Sequence, residues 1–123
     1  MNASVIGAVL LALAVALGAF GAHGLKDKLD AYSMSIYEKA VFYQFIHALG
    51  ILIVPLFAKA GAITEASATR IALVLFGGTL FFSGSLYALA LSGVRMLGAV
   101  TPIGGVCFIV GWSMLAWSLA KGK

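Results

Sequence analysis

Four runs of this chain, residues 3–22, 41–58, 71–92 and 102–120, are each long enough to cross about 30 Å of hydrocarbon as a helix, and none contains Asp, Glu, Lys or Arg. A backbone in hydrocarbon must satisfy its own N–H and C=O groups, which leaves helices and closed barrels as the options. Barrel strands alternate apolar and polar residues, whereas these runs are continuously apolar. The sequence therefore predicts an all-α integral membrane protein. Hydrophobic residues make up 63% of the 123 residues and charged ones 10%, with a mean hydropathy of +1.10, which excludes an ordinary soluble globule. The length suits one transmembrane domain over residues 1–123.

The first run has no Lys or Arg ahead of it and exceeds the usual apolar core of a signal peptide, so it reads as a retained span. Cys107 lies inside the fourth run as a small hydrophobe, and a lone cysteine forms no intrachain disulfide. The formal charge of +4 comes from Lys and Arg scattered over the connections and the C-terminus. That distribution reads as membrane-flank anchoring and not as a nucleic-acid stripe.

The connections carry their own signals. Leu25, Leu29, Tyr32 and Ile36 are spaced by four, three and four, an amphipathic stripe that predicts an interfacial helix between the first two spans. Ser35 to Glu38 matches a capping box and predicts the start of the second helix there. Gly61 and Gly93 read as helix stops, Thr64 as the cap of the third helix, and Thr101 followed by Pro102 as the opening of the fourth. Short connections predict an antiparallel four-transmembrane-helix bundle. Gly7, Ala14 and Gly21, and likewise Gly104, Gly111 and Ser118, recur every seven residues, with Gly77 and Gly84 forming a shorter seam. Such seams permit close helix packing, either within the bundle or in a homo-oligomer.

Antiparallel threading sorts the polar residues to one membrane side. There His23, Glu38, Lys39, Tyr43, Gln44 and His47 meet Tyr87, Arg95 and Thr101, with Ser83 and Ser85 nearer the midplane. His47 is costly at its position, roughly 10 Å inside an apolar run. Tyr87, roughly 8 Å deep on the third span, is placed to meet it. Candidate ligand-binding residues are therefore His23, Gln44, His47, Ser83, Tyr87 and Thr101.

Each has a plainer reading beside the functional one. Glu38 is accounted for by the capping box, and Tyr32, Tyr37, Tyr43, Trp112 and Trp117 by interfacial anchoring or packing. His23 at a helix C-terminus suits a structural cap as well as a site. His47 serves equally as a hydrogen-bonding group to Tyr87, Ser83 or a backbone carbonyl, or as a proton or ligand site. His23 and His47 lack a third ligand at metal spacing, so no metal and no cofactor is expected. No nucleophile–base set, phosphate loop or paired membrane carboxylates is present, which argues against an enzyme.

Four segments in order carry a family pattern: Gly18-Ala19-Phe20-Gly21-Ala22-His23-Gly24-Leu25, Tyr43-Gln44-Phe45-Ile46-His47-Ala48-Leu49, Phe82-Ser83-Gly84-Ser85-Leu86-Tyr87, and Thr101-Pro102-Ile103-Gly104-Gly105 with Gly111-Trp112. The chain resembles the YgdD/YwdK-like domain-of-unknown-function family of small bacterial inner-membrane proteins over nearly its whole length. The resemblance implies four membrane helices and a multi-pass place in the bacterial inner (plasma) membrane. It implies no catalytic mechanism.

Two functions remain open on these grounds. One is binding, or transport, of a small molecule or lipid at the polar layer, where transport favours an oligomer because one protomer has little room for a path. The other is a structural or accessory membrane subunit whose polar residues are interhelical contacts. Orientation is undecided by charge: Lys26, Lys28, Lys39 and Arg95 on one side balance Lys59, Arg70, Lys121 and Lys123 on the other. The unneutralised tail charges lean toward cytoplasmic termini.

Overall fold

The computed structural model describes residues 2–123 and is all helical, with no strand among them. Helix α1 spans Ala3–His23, α2 Ala31–Lys59, α3 Glu65–Ser92 and α4 Thr101–Lys121, with a short three-ten turn at Arg95–Ala99. Four helical segments are long and apolar enough to cross a membrane. At 29 residues α2 is about 43 Å long, more than the hydrocarbon needs, so part of it projects beyond the core.

Most boundaries follow the local chemistry of the sequence. The Thr64 hydroxyl accepts from the Ser67 N–H at 3.1 Å and caps α3. Gly61 at φ 82° follows α2, and the Ala62 N–H reaches back to the Phe57 carbonyl at 2.9 Å, the bond that closes a Schellman turn. Gly93 at φ 74° ends α3 in the left-handed region that a side chain would resist.

Two boundaries differ from expectation. Asp30, not Ser35, caps α2: its carboxylate accepts from the Ser33 N–H at 2.7 Å, and the Ser35 hydroxyl donates to the Tyr32 carbonyl. The Ser35–Glu38 capping box is thus absorbed into the helix interior. Residues 24–29 form turns instead of a separate interfacial helix. The amphipathic stripe has another destination. Leu25 and Ile36 are buried with Leu86 and Leu89 of α3, and Leu29 packs against that cluster, so the stripe mostly faces protein, while Tyr32 alone stays exposed. The second departure is at α4, whose capping position is Val100 with no side-chain bond. The Thr101 hydroxyl is engaged elsewhere, as described below.

Helix α1 packs on α2, α2 on α3 and α3 on α4, with no comparable α1–α4 contact among the described residues. The glycine seams explain the close approaches. A Cβ at Gly7 would lie 2.8 Å from the Ala48 carbonyl oxygen of α2, and one at Gly111 2.7 Å from Leu75 of α3. Gly104 sits directly on the Phe82 backbone, and Gly21 on the Tyr37 ring. The seams of α1 and α4 are therefore spent inside the protomer. Gly77 and Gly84 of α3 face open space.

The buried apolar residues fall into two groups. One joins Ile51, Val54 and Ala58 of α2 to Ala68, Ile71 and Leu75 of α3, with Phe108 and Leu115 of α4. The other joins Ile36, Tyr37 and Ala40 to Leu86, Leu89 and Ala90. Between them along α2 and α3 lie Gln44, His47, Thr79 and Ser83, all buried. A polar band thus divides an apolar core.

Candidate functional site

Gln44 organises the band. It stands on the α2 face that meets both α1 and α3, and it is 4% exposed. Its Nε2 donates to the Leu10 carbonyl of α1 at 2.8 Å, and its Oε1 accepts from the Tyr87 hydroxyl of α3 at 2.6 Å. One amide therefore ties three helices together. Ser83 donates to the Ala40 carbonyl of α2 at 2.7 Å, and the Tyr37 hydroxyl donates to the Leu17 carbonyl of α1. The Tyr37 and Tyr87 rings meet edge to face at 5.3 Å.

His47 faces the other way. Its Nδ1 lies 2.8 Å from the Tyr43 carbonyl one turn earlier, and its ring stacks on Phe108 of α4 at 3.4 Å between centroids, inclined by 12°. Trp112 lies 5.7 Å away and Tyr43 5.9 Å. The expected Tyr87 to His47 contact is replaced by Tyr87 to Gln44. The backbone carbonyl, one of the partners foreseen for His47, is the one it uses. A carbonyl only accepts, so in the neutral ring this contact places the proton on Nδ1 and leaves Nε2 with its lone pair.

The remaining candidates lie apart from this centre. Thr101 and Ser85 share a hydrogen bond at 2.6 Å that joins the start of α4 to α3. His23 is exposed in the last turn of α1. Thr79, which the sequence reading passed over, is buried and donates to the Leu75 carbonyl of its own helix at 2.9 Å. Tyr37 was also missed as a contact, since its place near a span end suggested an interfacial anchor. It is 1% exposed, and the glycine at 21 is the sequence signal that a ring fills the space opposite.

Among the described residues, every fully buried side-chain nitrogen and oxygen has a hydrogen-bond partner. His47 Nε2 has no protein partner, so it retains some access to the surface. No cluster of three or more His, Cys, Asp or Glu able to hold a metal ion is formed among those residues.

Two grooves border the end of α1. The smaller, about 180 Å³, passes over Gln44, Ser83 and Tyr87, but its walls include Leu10, Leu13, Leu17 and Leu80. The polar groups beneath it are engaged with each other or with backbone. The larger, about 300 Å³, lies between α1 and α2 and has Glu38 in its wall.

Comparison with known proteins gives a consistent picture. The profile of the family described as "Protein of unknown function (DUF423)" matches residues 17–105. A UPF0382 membrane protein of Staphylococcus epidermidis is 50% identical over 117 residues, covering 95% of this chain and 93% of its own. The UPF0382 membrane protein YwdK of Bacillus subtilis is 42% identical over 118 residues, covering 95% and 94%. One from Staphylococcus saprophyticus is 50% identical over 111 residues, 90% of each chain. No solved structure matches.

Proposed function

Since the chain belongs to the DUF423/UPF0382 family of multi-pass bacterial membrane proteins, which is defined by sequence and not by an activity, we propose its role from the polar band: it is a structural or accessory subunit of the bacterial inner membrane, not an enzyme. Its four spans run antiparallel, and the band holds them in register. One observation carries this reading. Gln44 uses both ends of its amide within the protein, and every fully buried side-chain nitrogen and oxygen among the described residues has a protein partner. A ligand that takes the hydroxyl proton of Ser83 or Tyr87 must first displace a contact worth roughly 0.5–1.5 kcal/mol.

The test is a photocrosslinking side chain at Ile109, a 70% exposed position on α4, activated in native membranes. A discrete adduct with another protein supports a subunit role. Adducts with lipid alone contradict it.

A second reading is favoured by one atom. His47 Nε2 has no partner and a lone pair to offer, so a small hydrogen-bond donor bound against Phe108 and Trp112 is accommodated chemically. Ligand binding or flux by purified protein, lost in a folded His47→Ala variant, supports it. Retention in that variant rules His47 out.

A further inference from the structure

The groove between α1 and α2 brings an exposed carboxylate, Glu38, to the end of an apolar furrow. Its α2 wall is Met34, Tyr37, Glu38, Val41, Phe42 and Phe45, of which the last four are spaced at i, i+3, i+4 and i+7 and so share one face. Its α1 wall is Gly18, Gly21 and Ala22, at i, i+3 and i+4, which contributes almost no side chain. A furrow of about 300 Å³ results. Glu38 stands three residues before the charge-free apolar run of α2 begins, which places it about 4–5 Å above the hydrocarbon boundary.

Glu38 is exposed, and Asp30 holds the helix-capping role that Glu38 would have shared with Ser35. The furrow thus has a charged upper end at head-group level and a floor of Val41, Phe42 and Phe45 descending toward the midplane, with the Tyr37 hydroxyl engaged by the Leu17 carbonyl. Lys39, next in sequence and exposed, is a cation at the same level but outside the furrow's lining.

We propose that this groove binds a phospholipid whose head group carries a primary ammonium, with the ammonium on Glu38 and one acyl chain along Val41, Phe42 and Phe45. Charge complementarity selects the occupant. A carboxylate takes up to three N–H donors from an ammonium, while the lipid phosphate finds Lys39. An anionic head group without an amine would place its phosphate near Glu38 with no ammonium between the two negative charges.

Native mass spectrometry of the purified full chain tests this, using micelles with equal amounts of dioleoyl phosphatidylethanolamine and dioleoyl phosphatidylglycerol. Wild type retains the ethanolamine lipid in preference by about fivefold, the scale of one interfacial charge contact. Glu38→Gln, an exposed and nearly isosteric change, brings the ratio close to unity. Ala22→Phe, which fills the furrow from an exposed position, lowers retention of both lipids. Equal retention by wild type, preference for the glycerol lipid, or a preference that survives Glu38→Gln each overturns the proposal.

Discussion

The Tyr87 hydroxyl of α3 donates to the Gln44 Oε1 of α2 at 2.6 Å, and the same amide holds α1 through the Leu10 carbonyl. In water such a contact would compete with solvent. In hydrocarbon the alternative is a desolvated polar group, which is why the pairing fixes how the helices are turned toward one another.

Ser83 makes a simpler link of the same kind. Ser83→Ala removes the α3 donor to the Ala40 carbonyl and should destabilise the protein by about 0.5–1.5 kcal/mol, measured by reversible unfolding in mixed micelles. Ser92→Ala is the comparison, because the exposed Ser92 hydroxyl donates to the Ala88 carbonyl of its own helix and accepts from the Val94 N–H just beyond it at 3.2 Å, and so ties no two spans together. It should change stability little.

The glycines separate by what faces them. Gly104→Ala drives a methyl group into the Phe82 backbone and should cost about 1–3 kcal/mol or more, since the backbone cannot turn aside. Gly77→Ala meets open space within a helix and should stabilise by about 0.5–1 kcal/mol. Thermal unfolding of the two variants in the same detergent gives the comparison.

The neutral His47 ring should be the Nδ1–H tautomer, because its partner, the Tyr43 carbonyl, only accepts. Nitrogen-15 chemical shifts in lipid distinguish a protonated Nδ1 and bare Nε2 from the reverse. The reverse pattern rules out the Tyr43 bond.

Asp30 gives the start of α2 a pH dependence. The Ser33 N–H and hydroxyl hold its carboxyl below the usual carboxylate range. A group depressed on folding contributes its full stabilisation above the unfolded pKa and loses it as pH falls through the folded one. Protection of the Ser33 amide, its exchange rate taken relative to that of an unstructured peptide at the same pH, should therefore be higher at neutral pH and fall as the Asp30 carboxyl protonates. Asp30→Asn, which keeps an oxygen acceptor without the charge, should flatten that dependence.

What the sequence revealed and what it hid divide along the range of the forces involved. The spans, the cap at Thr64 and the stops at Gly61 and Gly93 were legible because each depends on residues within a turn or two. The start of α2 was misplaced because Asp30 and Ser35 offer competing caps, and burial of Leu25 and Ile36 against α3 favours the earlier one. Of the polar residues expected together, Gln44, His47 and Ser83 lie in one band while His23 and Thr101 lie apart from it, and the pairing within the band was not legible. Gln44 and His47 are three residues apart on one helix, yet one turns to α1 and α3 and the other to Phe108 of α4. Only the rotation of α2 between its neighbours decides which of them Tyr87 meets. Thr101 shows the same limit, since its hydroxyl finds Ser85 across the α3–α4 contact in place of its own helix terminus.

The internal use of the polar band is tested most directly by a double-mutant cycle on Tyr87→Phe and Gln44→Leu, read by reversible unfolding in bicelles. The hydrogen bond between them predicts a coupling of about 0.6–1.7 kcal/mol, with the double variant less destabilised than the sum of the single ones. Strictly additive effects would contradict the pairing, and with it the structural role of the band.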